Sequence, residues 1–329
     1  MDEKSNKPRV SILIPVYNRD NFIGECIESA LNQSLPDIEV IVVDNASSDK
    51  TWEICQEYAA RDSRVRVFRN ETNIGPVLNW QRCIDEAEGL YGKLLFSDDL
   101  IEPDYLEKTI PFLIGNDVGF VFTSVSMGRE PGKGAVNYKF ANETGIYPAA
   151  DFINVSLFGG DVPISPGCAI FRLADLKKNL VLNIPSPTIN DFLTHGAGPD
   201  LLLYLLPAKT YTSIAYIKDA LCFFREHEGS ISISDKNQHL SSCYIQAKIW
   251  FAEGYYDSDR LKDYYVHTWY QYCRYSKHWI TSSVFLSKYT ANSDVNVFFI
   301  IVKLFASKAL LKLLQSIRPP VSQECTHKH

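Results

Sequence analysis

The first hundred residues alternate between short runs of β-branched residues and stretches in which apolar residues recur at helical spacing. Residues 10–16 and 38–43 are apolar runs that end in turn-forming polar residues, as is typical of buried parallel strands. Between them, six apolar residues repeat with the period of a helix: Phe22, Ile23, Cys26, Ile27, Ala30 and Leu31. A chain that opens β-α-β in this way is constrained to an open, mostly parallel α/β sheet with right-handed crossovers.

The same alternation continues toward residue 125. It predicts helices at about residues 49–61 and 77–88, and strands at 65–68, 93–96 and 118–124. Ligands of such sheets bind beyond the carboxyl ends of the strands. Four segments follow predicted strands and are therefore the places to search for a site: residues 15–18, 44–49, 69–75 and 97–99.

The rest of the chain is less regular. A glycine-rich polar stretch at residues 128–145 predicts a mobile excursion, and residues 148–234 mix short elements with prolines and loops. From residue 236 onward the sequence is helical and aromatic.

The net charge and the cysteines limit which partners the protein can have and which cell compartment it occupies. The net charge of −6 over 329 residues excludes a general nucleic-acid binder, because neutralising phosphates requires a basic surface. Eight cysteines without a CxxC pair predict reduced, buried thiols rather than disulfides or metal ligands. The N-terminus lacks an apolar signal core, and no run reaches the roughly 20 apolar residues of a membrane span. We therefore expect a cytoplasmic protein.

An acidic pair, Asp98 and Asp99, ends the apolar strand predicted at residues 93–96. Adjacent carboxylates repel each other, and a hard divalent cation relieves that repulsion by accepting oxygen ligands. The alternative interpretation is a turn or helix cap before Pro103.

A second polar segment, residues 44–49, follows the strand at 38–43. Asp44 leaves that strand where its carboxylate could accept a hydrogen bond from a nucleoside, while Ser47 and Asp49 suit the cap of the next helix.

The combination of these motifs resembles family 2 glycosyltransferases, which have the GT-A fold, and in particular those of bacterial surface polysaccharides of the O-antigen or capsule type. The resemblance rests on the order of Pro-Val-Tyr-Asn at residues 15–18, Asn-Ile-Gly at 73–75 and the acidic pair. It also includes Asn79, Trp80, Gly89, Leu94 and the run at 102–106. It is strong over about residues 9–125 and continues weakly to 234.

The resemblance implies roles for these residues. The nucleotide would contact Pro15, Tyr17, Asn18, Asp44, Asn73, Gly75, Asn79, Ser97 and Asp98. Asp99 would bind Mn²⁺ or Mg²⁺ on the donor diphosphate. Ser97 departs from the commonest D-x-D pattern, since some relatives carry an acid there.

The family's catalytic base opens a helix in the second half of the fold, which implies Asp200, before an apolar helix. An N-cap is the alternative role of that residue, while Asp191 and then Glu226 are alternative bases. The run at residues 224–232 resembles the family's Arg-x-His-x-x-Ser element, in which His227 would reach the metal and Arg225 the diphosphate. Residues 163–172 resemble the loop and strand beside the acceptor.

The domain organisation follows from the same resemblance. A GT-A domain is expected over residues 1–234, with a nucleotide-binding half at about 9–125 and an acceptor half at about 126–234. A helical region at 235–329 follows. Within it, an apolar run at about 295–323 carries only basic charges, so it would either lie on an anionic membrane at the cytoplasmic face or pack against protein, including a second subunit.

The predicted function is inverting transfer of a sugar from a nucleotide-sugar, most readily a UDP-sugar, to a glycan or lipid-linked glycan. A thymidine donor would fit the same carboxylate. A nicotinamide dehydrogenase would need a G-x-G-x-x-G turn after the first strand, which is absent. A catalytically inactive glycan-binding or assembly subunit with the same fold is the non-enzymatic alternative, and Ser97 is the feature that favours it.

Overall fold

The structure is a computed structural model that describes residues 8–115, 117–227, 229, 239–276 and 280–290. The chain divides between Tyr255 and Tyr256 into two compact units. The first unit thus extends beyond residue 234 to include a further helix, while the functional assignment of the two regions stays a prediction.

The strands of the first unit are β1 Val10–Val16, β2 Ile38–Asp44, β3 Val65–Arg69, β4 Tyr91–Leu94, β5 Leu100–Ile101, β6 Val118–Gly128, β7 Ala135–Asn137, β8 Gly145–Pro148, β9 Ala169–Arg172 and β10 Ser213–Arg225. Its helices are α1 Ile23–Leu31, α2 Thr51–Arg61, α3 Pro76–Glu86, α4 Tyr105–Leu113, α5 Ala149–Phe158, α6 Leu173–Asn179, α7 Pro199–Thr210 and α8 His239–Glu253.

All ten strands form one sheet in the order β3-β2-β1-β4-β9-β6-β10-β5, with β7 on β6 and β8 on β10. Four pairs of strands are parallel: β1 pairs with β2 and with β4, β2 pairs with β3, and β6 pairs with β10. The short strand β9 is antiparallel to both β4 and β6, and it joins the two parallel groups. The predicted mostly parallel α/β sheet is confirmed.

Burial explains why the central strands form. Every residue of β1 and β2 is buried, as expected of strands with helices on both faces. Their register aligns Val16 with Asp44, so both strands end at the same edge of the sheet. The polar segments after β1 and β2 therefore meet there.

The predicted excursion at residues 128–145 contains regular structure. Its β7 strand pairs with β6, and β8 begins at Gly145 and pairs with β10. A polar, glycine-rich composition concealed these short edge strands, because they lack an apolar alternation.

The second unit contains two described helices, α9 Ser258–Ser276 and α10 Ser282–Tyr289. The Trp269 indole N–H donates to the Ile280 carbonyl at 2.8 Å, and the Thr281 hydroxyl caps α10 by accepting from Val284 N at 3.3 Å. No helix in the described part of the chain is long and apolar enough to cross a membrane. The basic, apolar segment at 295–323 lies outside the described residues.

Candidate active site

A cavity of about 1250 Å³ opens where β1, β2 and β4 end. Residues from nearly every predicted motif line it: Pro15, Tyr17, Asn18, Asn73, Gly75, Asn79, Ser97, Asp98, Asp99, Asp200 and Arg225. The fold therefore brings together residues that are up to 210 positions apart in the chain.

A network of asparagine amides holds one wall of the cavity. The Asn45 amide donates to Asn73 Oδ1 at 2.8 Å and accepts from Asn70 Nδ2 at 3.0 Å. Asn70 Nδ2 also donates to Asn79 Oδ1 at 2.9 Å. Gly75, at φ 85°, adopts a left-handed conformation just before α3, where a side chain would be strained. The predicted Asn73, Gly75 and Asn79 are thus fixed by two asparagines that the sequence analysis did not single out.

Asp44 lies behind this wall. Its carboxylate is fully buried, accepts from Ser47 N at 3.1 Å and pairs with Arg69 Nε at 3.0 Å. The neighbouring Asn45 lines the cavity instead. The nucleotide contact of Asp44 stays a prediction, and its observed partners assign it to shaping the turn after β2.

The turn after β1 presents Tyr17 and Asn18. Tyr17 is 42% exposed and lines the cavity. Asn18 has φ 49°, and its Oδ1 accepts from Ser48 N at 2.8 Å. This bond ties the turn after β1 to the turn after β2.

The acidic pair lies in the cavity wall with its two carboxylates in different surroundings. Asp99 is buried and accepts from Arg225 N at 3.0 Å. Burial raises the pKa of the Asp99 carboxyl well above its ordinary value, and the negative charge of Asp98 raises it further. Asp98 pairs with His227 Nε2 at 2.7 Å and with Arg19 Nε at 3.5 Å.

The acidic pair, Asp98 and Asp99, fits a divalent cation. A buried carboxylate whose ionisation is opposed by burial and by a neighbouring acid gains most from a bound cation, and carboxylate oxygens are the ligands that Mn²⁺ and Mg²⁺ prefer. Asp99 lines the cavity and can present an oxygen to a ligand there.

His227 is engaged at both ring nitrogens. Its Nδ1 accepts from Gly229 N at 3.2 Å, so Nε2 carries the proton that it donates to Asp98. Metal ligation by His227 stays a prediction, and it would require Nε2 to leave Asp98. In the observed arrangement the imidazole holds the Asp98 carboxylate in place.

Arg225 is likewise anchored. Its Nε donates to the Asp98 carbonyl at 3.0 Å, and its Nη2 donates to Glu25 at 2.6 Å. The guanidinium also lies over the Phe22 ring, 5.0 Å from its centroid. Arg225 therefore braces the acidic turn, and its contact with a diphosphate stays a prediction.

Asp200 faces the same cavity from the first turn of α7. Its Oδ1 accepts from Gly198 N at 2.8 Å and Leu201 N at 2.7 Å, and its Oδ2 accepts from the Tyr244 hydroxyl at 2.7 Å. Burial outweighs these bonds and raises the pKa of Asp200 to about 7. A carboxylate with this pKa is suited to accept a proton near neutral pH.

The alternative bases lie in other surroundings. The Asp191 side chain is 41% exposed and accepts from His239 Nε2 at 2.9 Å. Glu226 lines the cavity directly after β10. Asp200 combines burial with a position in the cavity wall, and this combination favours it over both alternatives.

Trp80, on α3, joins the two sides of the cavity. Its ring packs against Phe96 at a centroid distance of 5.6 Å. A Cβ on Gly196 would lie only 2.2 Å from its Cη2 atom. Position 196, three residues before the start of α7, must therefore be glycine for the indole to fit, and its φ of 79° also favours glycine.

Besides Asn70, sequence reasoning missed three residues of the site: Arg19, Asn45 and Tyr244. Arg19 directly follows the Pro-Val-Tyr-Asn motif and could have been found from that position. Asn45 directly follows Asp44 and could have been found in the same way. Tyr244 gave no local signal, because its role depends on how α8 packs against α7.

The sequence model of glycosyl transferase family 2 matches residues 11–180, which is just over half of the chain. The chain belongs to glycosyl transferase family 2. The match includes the strands β1 to β4 and the acidic pair, while Asp200 and the Arg225–His227 element lie beyond it.

Other family members are similar over different lengths. Glycosyltransferase GlyG of Streptococcus pneumoniae serotype 4 is 28% identical over 68% of this chain and 72% of GlyG. TuaG of Bacillus subtilis (strain 168), named as a candidate teichuronic acid biosynthesis glycosyltransferase, is 35% identical over 44% of this chain. The chain spans 57% of TuaG and 44% of an uncharacterised Haemophilus influenzae glycosyltransferase.

The fold is also found in solved structures. The crystal structure of Staphylococcus aureus TarS 1–349 in complex with UDP-GlcNAc aligns with a TM-score of 0.63 and 20% identity, over 81% of this chain and 73% of that one. This likeness supports the GT-A architecture of the family.

Proposed function

We propose that this family 2 member is a metal-assisted, inverting glycosyltransferase that moves a sugar from a nucleotide-sugar to a glycan or lipid-linked glycan. The observation that carries the proposal is that one cavity is lined both by Asp99, a buried carboxylate suited to a cation, and by Asp200, whose pKa is raised to about 7. Donor binding and proton removal therefore have candidate groups in the same space.

The nucleotide would occupy the wall formed by Tyr17, Asn73 and Asn79. A UDP-sugar is the donor we favour, and the UDP-GlcNAc complex of TarS supports that choice. A Pyrobaculum calidifontis mannosyltransferase solved with GDP-Man and Mn²⁺, at 17% identity and a TM-score of 0.51, supports a metal in the shared fold. TuaG's name supports a role in surface polysaccharide synthesis.

The chain's own residues would perform a single displacement. The hydroxyl oxygen of the acceptor bonds to the anomeric carbon while the bond from that carbon to the diphosphate breaks. Asp200 accepts the proton that this hydroxyl loses. Tyr244 holds Oδ2 of Asp200 by its 2.7 Å hydrogen bond. Mn²⁺ or Mg²⁺ held by Asp99 would offset the charge that develops on the leaving diphosphate. Attack opposite the leaving group inverts the anomeric centre.

The test is binding and turnover with a panel of nucleoside diphosphates and nucleotide-sugars, with Mn²⁺ or with a chelator. A ligand at 100 times its Kd adds about 2.7 kcal/mol to the stability, which a melting curve resolves. We expect one donor to raise Tm only with metal, and this rise to disappear in Asp99→Ala. Asp85→Ala, which removes an exposed carboxylate on α3, is the matched control and should retain the shift.

Slow donor hydrolysis without acceptor separates an enzyme from the inactive binding subunit. Wild type should release nucleoside diphosphate. Asp200→Asn should bind the donor but release no nucleoside diphosphate from it. Donor binding with no hydrolysis and no transfer to any glycan would favour the binding subunit. If no nucleotide changes Tm, the proposal that this cavity binds a nucleotide-sugar donor is wrong.

A further inference from the structure

A second cluster of metal-binding side chains lies beside the cavity. His239 and Cys243 are four residues apart in α8, so they lie on the same face of that helix. Asp191 and His195 flank the short 3-10 turn Phe192–Thr194 that precedes α7. One potential ligand atom of each of the four residues lies within 4.8 Å of the other three.

Four of the six separations between these ligand atoms are close to the edges of a tetrahedral zinc site. Cys243 Sγ is 3.6 Å from Nε2 of His195 and 3.6 Å from Nε2 of His239. With Zn–S of about 2.3 Å and Zn–N of about 2.0–2.1 Å, a tetrahedral sulfur–nitrogen edge is about 3.5 Å. Asp191 Oδ1 is 3.7 Å from His195 Nε2 and 3.1 Å from His239 Nε2. These two distances lie on either side of the roughly 3.3 Å expected for an oxygen–nitrogen edge.

We propose that Asp191, His195, His239 and Cys243 form a tetrahedral Zn²⁺ site. One thiolate, two imidazoles and one carboxylate are a donor set that selects zinc over Mg²⁺ or Mn²⁺. Four protein ligands leave no open position, so this is a structural site, separate from the cation held by Asp99. It does not depend on the proposed reaction.

Zinc can reach the site from solvent, and binding it costs one hydrogen bond of His195. Asp191 and His239 are 41% and 44% exposed, whereas Cys243 is fully buried. His195 Nδ1 accepts from Ala197 N at 3.0 Å, which places the ring proton on Nε2. Zinc binding at Nε2 therefore releases or moves that proton and sacrifices this hydrogen bond. His195 should consequently contribute less to the affinity than His239.

Zinc here would fix one wall of the active-site cavity. Leu193 and Thr194, between the two loop ligands, line that cavity, as do Leu240 and Tyr244 from α8. Tyr244 directly follows Cys243 and donates to Asp200. The ion would therefore clamp the start of α8 to the turn before α7 and hold the tyrosine on the proposed base.

The experiment is zinc analysis of the full-length protein, followed by Co²⁺ titration of the chelator-treated protein. We expect about one zinc per chain and, with Co²⁺, the intense visible bands of a tetrahedral ion together with a thiolate-to-cobalt charge-transfer band. Cobalt at Asp99 would have oxygen ligands and no such band. Zinc should displace the cobalt and raise Tm.

Matched variants assign the ligands. Cys243→Ala and His239→Ala should each abolish the charge-transfer band or weaken metal binding. The loss in affinity should exceed the roughly 10- to 100-fold that is typical when a residue outside the ligand set is changed. His195→Ala should weaken metal binding less. Cys55→Ala, another buried helical thiol, and Asp99→Ala should keep the band. His239→Ala keeps the assignment testable if Cys243→Ala does not fold, because His239 is half exposed. Absence of the thiolate band, or a band that survives both Cys243→Ala and His239→Ala, would overturn the proposal.

Discussion

Asp200→Asn should stabilise the protein while it slows turnover by about 10²–10⁴-fold. Burial raises the pKa of Asp200 from 3.8 to about 7, so ionising this residue opposes folding. Between these pH values the folded chain holds a proton that the unfolded chain releases, and stability falls as pH rises through this range. Above about pH 7 the full cost is present. It corresponds to about 4 kcal/mol.

Asparagine removes this cost and keeps most of the contacts. Its Oδ1 can accept from Gly198 N and Leu201 N as Asp200 does, and the Tyr244 hydroxyl can turn to accept from the amide. We expect a gain of about 2 kcal/mol or more at pH 8, seen as a Tm increase of about 4–8 °C. The gain should vanish near pH 4, where both proteins are neutral at this position.

Calorimetry at pH 4, 6 and 8 measures the stability, and release of nucleoside diphosphate measures turnover. Wild-type kcat/KM should rise up to about pH 7 as Asp200 loses its proton, whereas Asp200→Asn should be slower by about 10²–10⁴-fold and lack this rise. Asp151→Asn, an exposed aspartate in the first turn of α5, should change neither property. A Tm gain that is independent of pH, or a variant that retains wild-type turnover, would refute the reasoning.

Three further substitutions test other parts of the site. Asp99→Asn should weaken metal-dependent donor binding by at least about tenfold while metal-free binding is unchanged, as isothermal titration would show. Tyr244→Phe removes the hydroxyl donor of the proposed base and should move the acidic limb of the pH–rate profile upward by about one pH unit or more; an unmoved limb would contradict the assignment. Gly196→Ala should destabilise by about 2–4 kcal/mol in urea, whereas Gly159→Ala, at similarly positive φ with open space around its Cβ, should cost less.

The first half of the fold could be predicted because its signals are local. Apolar strand runs, helical periodicity and the polar residues after each strand located β1 to β4 and the acidic pair to within a few residues. The rule that ligands bind beyond the carboxyl ends of parallel strands then placed the cavity. Asp99 and Asn73 are in its wall for that reason.

The remainder depends on contacts between distant segments. The insertion of the four-residue strand β9 between β4 and β6 follows no local pattern, because pairing partners decide it. The cluster of Asp191, His195, His239 and Cys243 is similar: the i, i+4 spacings are visible in the sequence, yet nothing indicates that the two segments meet. The cysteines were predicted to be reduced, buried thiols rather than metal ligands, and the proposed zinc site departs from that prediction at Cys243 alone.

Trp80 is also placed to act as a fluorescent reporter of ligand binding in the cavity. Its indole is 6% exposed, contacts Phe96 beside the acidic turn, and fills the space above Gly196 that any other residue would occupy. A donor that settles against α3, or a shift of the turn that carries Gly196, changes the polarity and packing around this one ring. Intrinsic fluorescence should therefore change when a ligand occupies the cavity, without a label, and this ligand-dependent change should disappear in Trp80→Phe although the other four tryptophans still emit.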